Sequence, residues 1–282
     1  MGLLQPIEVL AKRLWIDGVW KANMAVAGLV EPAAADFCRR LEREAFHAPH
    51  LLRVVPARRA IYVMVPKVGS TRIRRTLGLV AGRYSRRLKP RHWGKVREAQ
   101  GLRSMSPRSF YRLATNPKTL RFSFVRNPYE RLLAVWASSF QNVPLVPGNP
   151  AIDDYLAWRE RIDRSLPAGG DQTLAFEQFT VFVLGRLDVH EQHYMPQDTL
   201  LTVPGISLDF VGRMESFNDD FAVVLDRLGA STEVRREALV PVNKSRHSHW
   251  ADYYTPALAA RVYRAYERDF DRFRYARALP AR

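Results

Sequence analysis

Lys67, Ser70, Thr71 and Arg72 lie within Ile61-Tyr62-Val63-Met64-Val65-Pro66-Lys67-Val68-Gly69-Ser70-Thr71-Arg72, where a cation and two hydroxyls meet a turn. The unbroken apolar run Ile61–Val65 has the pattern of a strand buried on both faces. Pro66 ends it, and a small-residue turn leads into a helix expected to begin near Thr71. A strand–turn–helix of this kind aims several backbone N–H groups and the positive end of a helix dipole at one point. That is the chemistry of phosphate or sulfate binding. Pro66, Lys67, Val68, Gly69, Ser70, Thr71 and Arg72 are therefore candidate anion-site residues, with Lys67 as a mobile cation at the mouth. The pattern Gly-x4-Gly-Lys-[Ser/Thr] occurs nowhere in the chain, and here the lysine precedes the glycine. That order argues against an ordinary nucleotide triphosphatase or kinase.

A second constellation follows in Arg121-Phe122-Ser123-Phe124-Val125-Arg126-Asn127-Pro128-Tyr129-Glu130-Arg131-Leu132-Leu133. Phe122, Phe124 and Val125 suit a strand, and Pro128 suits the first position of a helix, where its missing N–H costs nothing. Arg126 then sits at the carboxyl edge of the strand, where open α/β sheets bind ligands. Its planar fork suits bidentate pairing to a phosphate.

Together the two segments resemble the sulfotransferases that use PAPS (3′-phosphoadenosine 5′-phosphosulfate), in the carbohydrate branch called family 2 and of a soluble, bacterial type. Val65–Thr71 matches that branch's 5′-phosphosulfate loop, Val-Pro-Lys-x-Gly-[Cys/Ser/Thr]-[Thr/Ser]. Phe122–Leu132 matches its 3′-phosphate motif, Phe-x-Phe-Val-Arg-[Asp/Asn/Glu]-Pro-x-Glu-Arg-Leu. The resemblance implies one α/β domain, P-loop-like, with a mainly parallel central sheet flanked by helices. It also implies transfer of a sulfuryl group from PAPS to a hydroxyl of a carbohydrate or glycolipid, with adenosine 3′,5′-bisphosphate as product and no metal. In this family a serine downstream of the motif's arginine helps hold the 3′-phosphate; here Ala134 stands in its place. Ser138 and Ser139 lie a helical turn further along the axis, too far to replace it directly. Val242-Asn243-Lys244-Ser245-Arg246-His247 falls where relatives close a loop over PAPS, so Lys244 and Arg246 are candidates to supply what Ala134 withholds. Asp209-Phe210-Val211-Gly212-Arg213-Met214-Glu215 resembles a family strand, which puts Arg213 or Glu215 either at the pocket or in a strand-end ion pair.

A hydroxyl acceptor must lose its proton, which calls for a general base. Seven histidines compete for the role. His193 leads, because His193-Tyr194-Met195-Pro196-Gln197 resembles a segment common in bacterial members of the branch. His190, His92 or a glutamate remain alternatives.

Over the whole chain of 282 residues, Lys+Arg 44 against Asp+Glu 28 gives a net charge of +16. Such a balance expects anionic partners: a polyanionic cofactor, an acidic glycan, anionic lipid or nucleic acid. The basic stretch Arg83–Arg97 reads as a solvated face, as a path for an acidic glycan or anionic lipid, or as a nucleic-acid surface. Its aromatic interleaving is thin, so nucleic acid is not expected as a partner, while contact with a membrane surface is compatible. A non-catalytic basic binding protein is the competing class; it accounts for the charge but not for two phosphate motifs on successive strands. Cys38 is the only cysteine, and the first residues read as neither signal peptide nor membrane anchor, so the expected location is cytoplasmic.

The resemblance implies a sulfotransferase domain over 56–282 and leaves 1–55 as an expected helical extension packed on it. Trp15 and Trp20 are expected to pack the extension onto the domain. Helices are predicted over Ala33–Phe46, Ala151–Ile162, Gln172–Leu187, Ser216 to Gly229, and from Thr255 through Phe270. Thr199–Val203 and Leu208–Val211 are predicted as short strands.

Overall fold

A computed structural model describes residues 4–45, 48–82, 105–162, 164–167, 172–187, 191–238 and 249–279. Arg83–Arg97 with His92, and also His190, Lys244 and Arg246, lie outside the described residues, as does the side chain of Trp15.

Four strands form one sheet in the order β1-β2-β3-β4, where β1 is Leu52–Val55, β2 Ala60–Val63, β3 Leu120–Val125 and β4 Phe210–Arg213. β2, β3 and β4 run parallel, and β1 adds an antiparallel edge. All of β2 is buried, and so is β3 beyond Arg121, which is why both are written in apolar residues rather than in alternation. The buried hydroxyl of Ser123 is satisfied by donating to the carbonyl of Val63 at 2.6 Å. Because β2 and β3 are parallel neighbours, the turns after them emerge side by side at one edge of the sheet. That edge carries the site.

Helices cover both faces. The helix Pro128–Ser139 is buried along most of its length, with Leu132, Leu133, Val135 and Trp136 in the core. It packs against Phe176–Leu184, Pro256–Ala265 and the 3-10 turn Trp250–Tyr253 through an aromatic cluster. There Tyr129 stacks on Trp250 with ring centroids 5.5 Å apart. On the other side Phe124 meets Phe217 and Phe221. Gly212 in β4 is required by that contact, since a Cβ there would lie 2.5 Å from the Phe124 ring.

The stretch read as an N-terminal extension forms helices Leu4–Val30 and Pro32–Glu44, and its last residues, β1, are a strand of the sheet. Trp20 donates to Glu42 at 3.0 Å, and Trp20, Phe37, Cys38 and Leu41 share one core with the rest of the protein.

Two predicted elements differ. Thr199–Val203 is not a strand: Gln197–Leu201 forms a short helix, and only an isolated bridge joins Val203 to Ile206. The cause is distant in sequence, because the Asp269 carboxylate accepts the N–H groups of Gln197 and Asp198 at 2.8 and 2.7 Å and so caps the helix. The last helix is broken at Tyr266 into Pro256–Ala265 and Glu267–Phe273. The other predicted elements appear with shifted ends, Phe176–Leu184 and Phe210–Arg213 among them.

Candidate active site

β2 gives way to a turn in which Lys67 and Gly69 both take left-handed backbone angles, φ 68° and 74°. At Gly69 a side chain is excluded twice over, since a Cβ would also sit 3.0 Å from the Phe217 ring. Lys67 holds this conformation without being glycine, a strain of about 1–3 kcal/mol of the kind found at binding loops. The turn feeds the helix Ser70–Val80, whose first turn carries no acidic residue. Its first intrahelical bond of this end runs from Ile73 N–H to the Gly69 carbonyl at 3.1 Å. The preceding N–H groups have no acceptor within the helix, so they point outward as an anion cradle.

They point into a cavity of about 530 Å³. Pro66, Lys67, Gly69, Ser70, Thr71, Arg72 and Arg74 form one wall, Arg126, Ala134 and Ser138 a second, and Gln192 and His193 a third. The structure thus brings together Pro66, Lys67, Gly69, Ser70, Thr71, Arg72, Arg126 and His193, but not Val68, whose side chain is wholly buried in the core and leaves only its peptide groups to the turn. Among the described residues no carboxylate lines it. Burial, and then the positive charge of Arg131, hold the Lys67 ammonium below its ordinary pKa.

Lys67 Nζ donates to the Ser138 hydroxyl, which in turn donates to the Val135 carbonyl at 2.9 Å. Ser138 thus serves the cation of the first motif, while Ala134 presents only a methyl group to the cavity. Arg72 leans over the Phe217 ring, 4.6 Å from its centroid, and donates to Asn218 at 3.1 Å and to the Ala238 carbonyl.

Arg126 is held at both ends. Its Nε and Nη2 donate to one Glu130 oxygen at 3.2 and 3.1 Å. Its own N–H donates to Gln197 Oε1 at 2.9 Å, while its carbonyl accepts from Gln197 Nε2 at 2.8 Å. A single buried amide side chain therefore closes a two-bond ring on the backbone of Arg126. The following residue is fixed too, since Asn127 N–H donates to Glu215 at 2.6 Å. Glu215 supports the turn from outside the cavity, and Arg213 lies above the Tyr275 ring and donates to the Phe273 carbonyl; neither lines the cavity.

His193 lines the same cavity with more than half its side chain exposed. Its Nδ1 lies 2.6 Å from Glu191 Oε1, and its backbone N–H donates to the same oxygen at 3.0 Å. The His193 contact holds the Glu191 carboxyl below its usual range. An ionised carboxylate only accepts, so Nδ1 carries the proton and the neutral ring keeps its lone pair on Nε2.

The sequence reasoning did not find Glu191, Gln197, Arg131 or Asp269 as parts of this arrangement. Gln197 and Arg131 stood inside quoted motifs, and the signal for Asp269 was an acid amid apolar helical spacing. Among the described residues no group of three His, Cys, Asp or Glu is placed to hold a metal ion. No described helix is long and apolar enough to cross a membrane.

In this α/β fold the adjacent parallel strands β2 and β3 end in a lysine turn and an arginine turn that border one cavity. The chain belongs to the sulfotransferase family, whose Sulfotransfer_2 model matches residues 50–276. It is 27% identical over 288 residues to human carbohydrate sulfotransferase 8, covering 93% of this chain and 65% of the relative. It is 27% identical to human carbohydrate sulfotransferase 9, covering 92% of this chain and 59% of the relative. Against mouse carbohydrate sulfotransferase 14 it is 30% identical over 225 residues, with 77% and 58% covered. The chain thus spans less than two thirds of the length of these relatives. No solved structure matches it.

Proposed function

We propose that the protein transfers a sulfuryl group from PAPS to a hydroxyl of a carbohydrate or glycolipid. The observation that carries this reading is the convergence of Lys67, the N-terminus of Ser70–Val80, Arg126 and His193 on one cavity. The relatives named above are carbohydrate sulfotransferases, which supports a sugar hydroxyl as acceptor. The cavity fits a polyanionic nucleotide: its walls are cationic, and Gly69 leaves open the space that a side chain would fill.

In this reading Ser70, Thr71 and the N–H groups of the helix start hold the 5′ end of the donor, and Arg126 holds the 3′-phosphate. Lys244 and Arg246 are further candidates for that contact. The donor supplies a sulfuryl group on a phosphosulfate anhydride, whose departure leaves negative charge on a phosphate oxygen. Lys67 answers that charge, and donors already in position are most effective where charge develops. Ser138 holds the ammonium ready before substrate arrives. His193 takes the acceptor's proton at Nε2, with Glu191 orienting the ring. Incubation with PAPS carrying labelled sulfate and a panel of glycans, glycolipids and small alcohols tests the proposal. Label in a sugar-bearing acceptor supports it, and no transfer to any acceptor refutes it.

A further inference from the structure

Arg131 lies in the first turn of the helix Pro128–Ser139, shortly after Arg126, and is only 2% exposed. Its neighbours Leu132, Leu133 and Val135 are core residues, so an apolar side chain would fit its helix pattern. Burying a cation costs far more than burying a leucine unless every donor is answered. Here the answers come from main-chain carbonyls in two separate loops. Nε donates to Pro66 at 3.2 Å, Nη1 to Met195 at 2.7 Å, and Nη2 to Gln192 at 3.0 Å. Pro66 immediately precedes Lys67, whereas Gln192 and Met195 bracket His193. One rigid planar fork therefore spans from the turn that carries the cation to the loop that carries the imidazole. Its donors diverge in fixed directions, so the two loops cannot shift independently while all three bonds hold.

We infer that Arg131 is a positioning residue that locks the Lys67 turn and the His193 loop into one unit, setting the distance between the two groups. Its kinetic consequence rests on the proposed transfer reaction; its structural consequence does not. Arg131 touches neither the cavity nor any substrate, and it acts through Pro66, Gln192 and Met195. Its charge also reaches the site, as the second cause of the lowered Lys67 pKa.

The test is Arg131→Lys, which keeps the charge but replaces the fork by a single point donor. Hydrogen exchange without ligand reads the joint directly. Exchange should rise several-fold at the amides of Tyr194 and Met195, which bond the Glu191 carbonyl, and at Ile73, which bonds Gly69. The Ala34 amide, bonded to Glu31 at the start of the helix Pro32–Glu44, should be unchanged. Uniform acceleration at all four amides, or none at the first three, overturns the inference. The kinetic arm compares Arg131→Lys in the wild-type and His193→Ala backgrounds. A misplacement of about 1 Å costs about 10²-fold in rate, so the variant should slow transfer about that much in the wild type. It should slow His193→Ala by no more than a few-fold, because the group being positioned is gone. Equal slowing in both backgrounds also overturns it. If Arg131→Lys does not fold, Arg131→Gln, planar but short and neutral, is read by the same two measurements. A wild-type protein that transfers no sulfate would sink the reaction, yet the exchange arm would still decide on Arg131.

Discussion

Replacing Gln197 by methionine keeps the length of a fully buried side chain and removes every hydrogen bond it makes. Two of those bonds close on the backbone of Arg126, at 2.9 and 2.8 Å, and a third reaches the Asp269 carboxylate at 3.3 Å. An orphaned buried donor or acceptor costs about 1–3 kcal/mol, so the N–H and carbonyl of Arg126 together predict a loss of about 2–6 kcal/mol. The lower half of that range is expected, because Arg126 borders the cavity and water can reach it from there. Urea unfolding should report the loss as a lower midpoint at unchanged slope. The same variant frees the arginine from its register beside Lys67, and that is read by binding. Adenosine 3′,5′-bisphosphate and adenosine 5′-phosphate differ only in the 3′-phosphate, so the ratio of their Kd values isolates the group assigned to Arg126. Arg126→Ala sets the full scale, about 1.5–3 kcal/mol for a lost charged hydrogen bond. Gln197→Met should lose part of it, about 1 kcal/mol or roughly fivefold in the ratio. Destabilisation with an unchanged ratio would refute the claim that Gln197 places Arg126. Stability within about 0.5 kcal/mol of wild type would refute the account of its buried bonds as well.

Lys67→Ala should cost about 2.7–4 kcal/mol in the transfer step with only a modest change in product-nucleotide affinity; transfer within a few-fold of wild type would remove Lys67 from the mechanism. Burial and Arg131 depress the Lys67 pKa in the free protein, and only the ammonium form pairs with phosphate. Product-nucleotide affinity should therefore fall modestly as pH rises through that lowered pKa, and binding on the alkaline side should take up a fraction of a proton. Calorimetry in buffers of different ionisation enthalpy measures the uptake, and its absence would contradict the assignment. His193→Ala should slow transfer by about 10²–10⁴-fold while leaving nucleotide binding intact. A variant that keeps its rate moves the base elsewhere, with His92 the next to replace.

The two anion turns were legible because each is a local event. An apolar run followed by Pro66, Lys67 and Gly69, or a largely apolar one followed by Arg126, Asn127 and Pro128, describes strand, turn and helix start within a dozen or so neighbours. Hydrophobic period and turn chemistry act over that range, and the structure returns Lys67, Arg126 and the helix Ser70–Val80 where they were expected. Even Gly69 was visible as part of a small-residue turn, although the Phe217 ring that forbids a side chain there was not. What could not be read were the polar contacts that join one turn to another. Thr199–Val203 has β-like residues, yet Asp269, from the far end of the chain, caps Gln197–Leu201 into a helix. Arg131 occupies a position in a motif, but nothing local says that its fork reaches Pro66 on one side and Gln192 and Met195 on the other. Glu191 becomes the partner of His193 only through the loop geometry that sets its oxygen against Nδ1. A side-chain period records which face is buried, not which distant carbonyl a buried donor will meet. Those pairings are chosen when the core closes and each buried polar group must find a partner or pay for its desolvation.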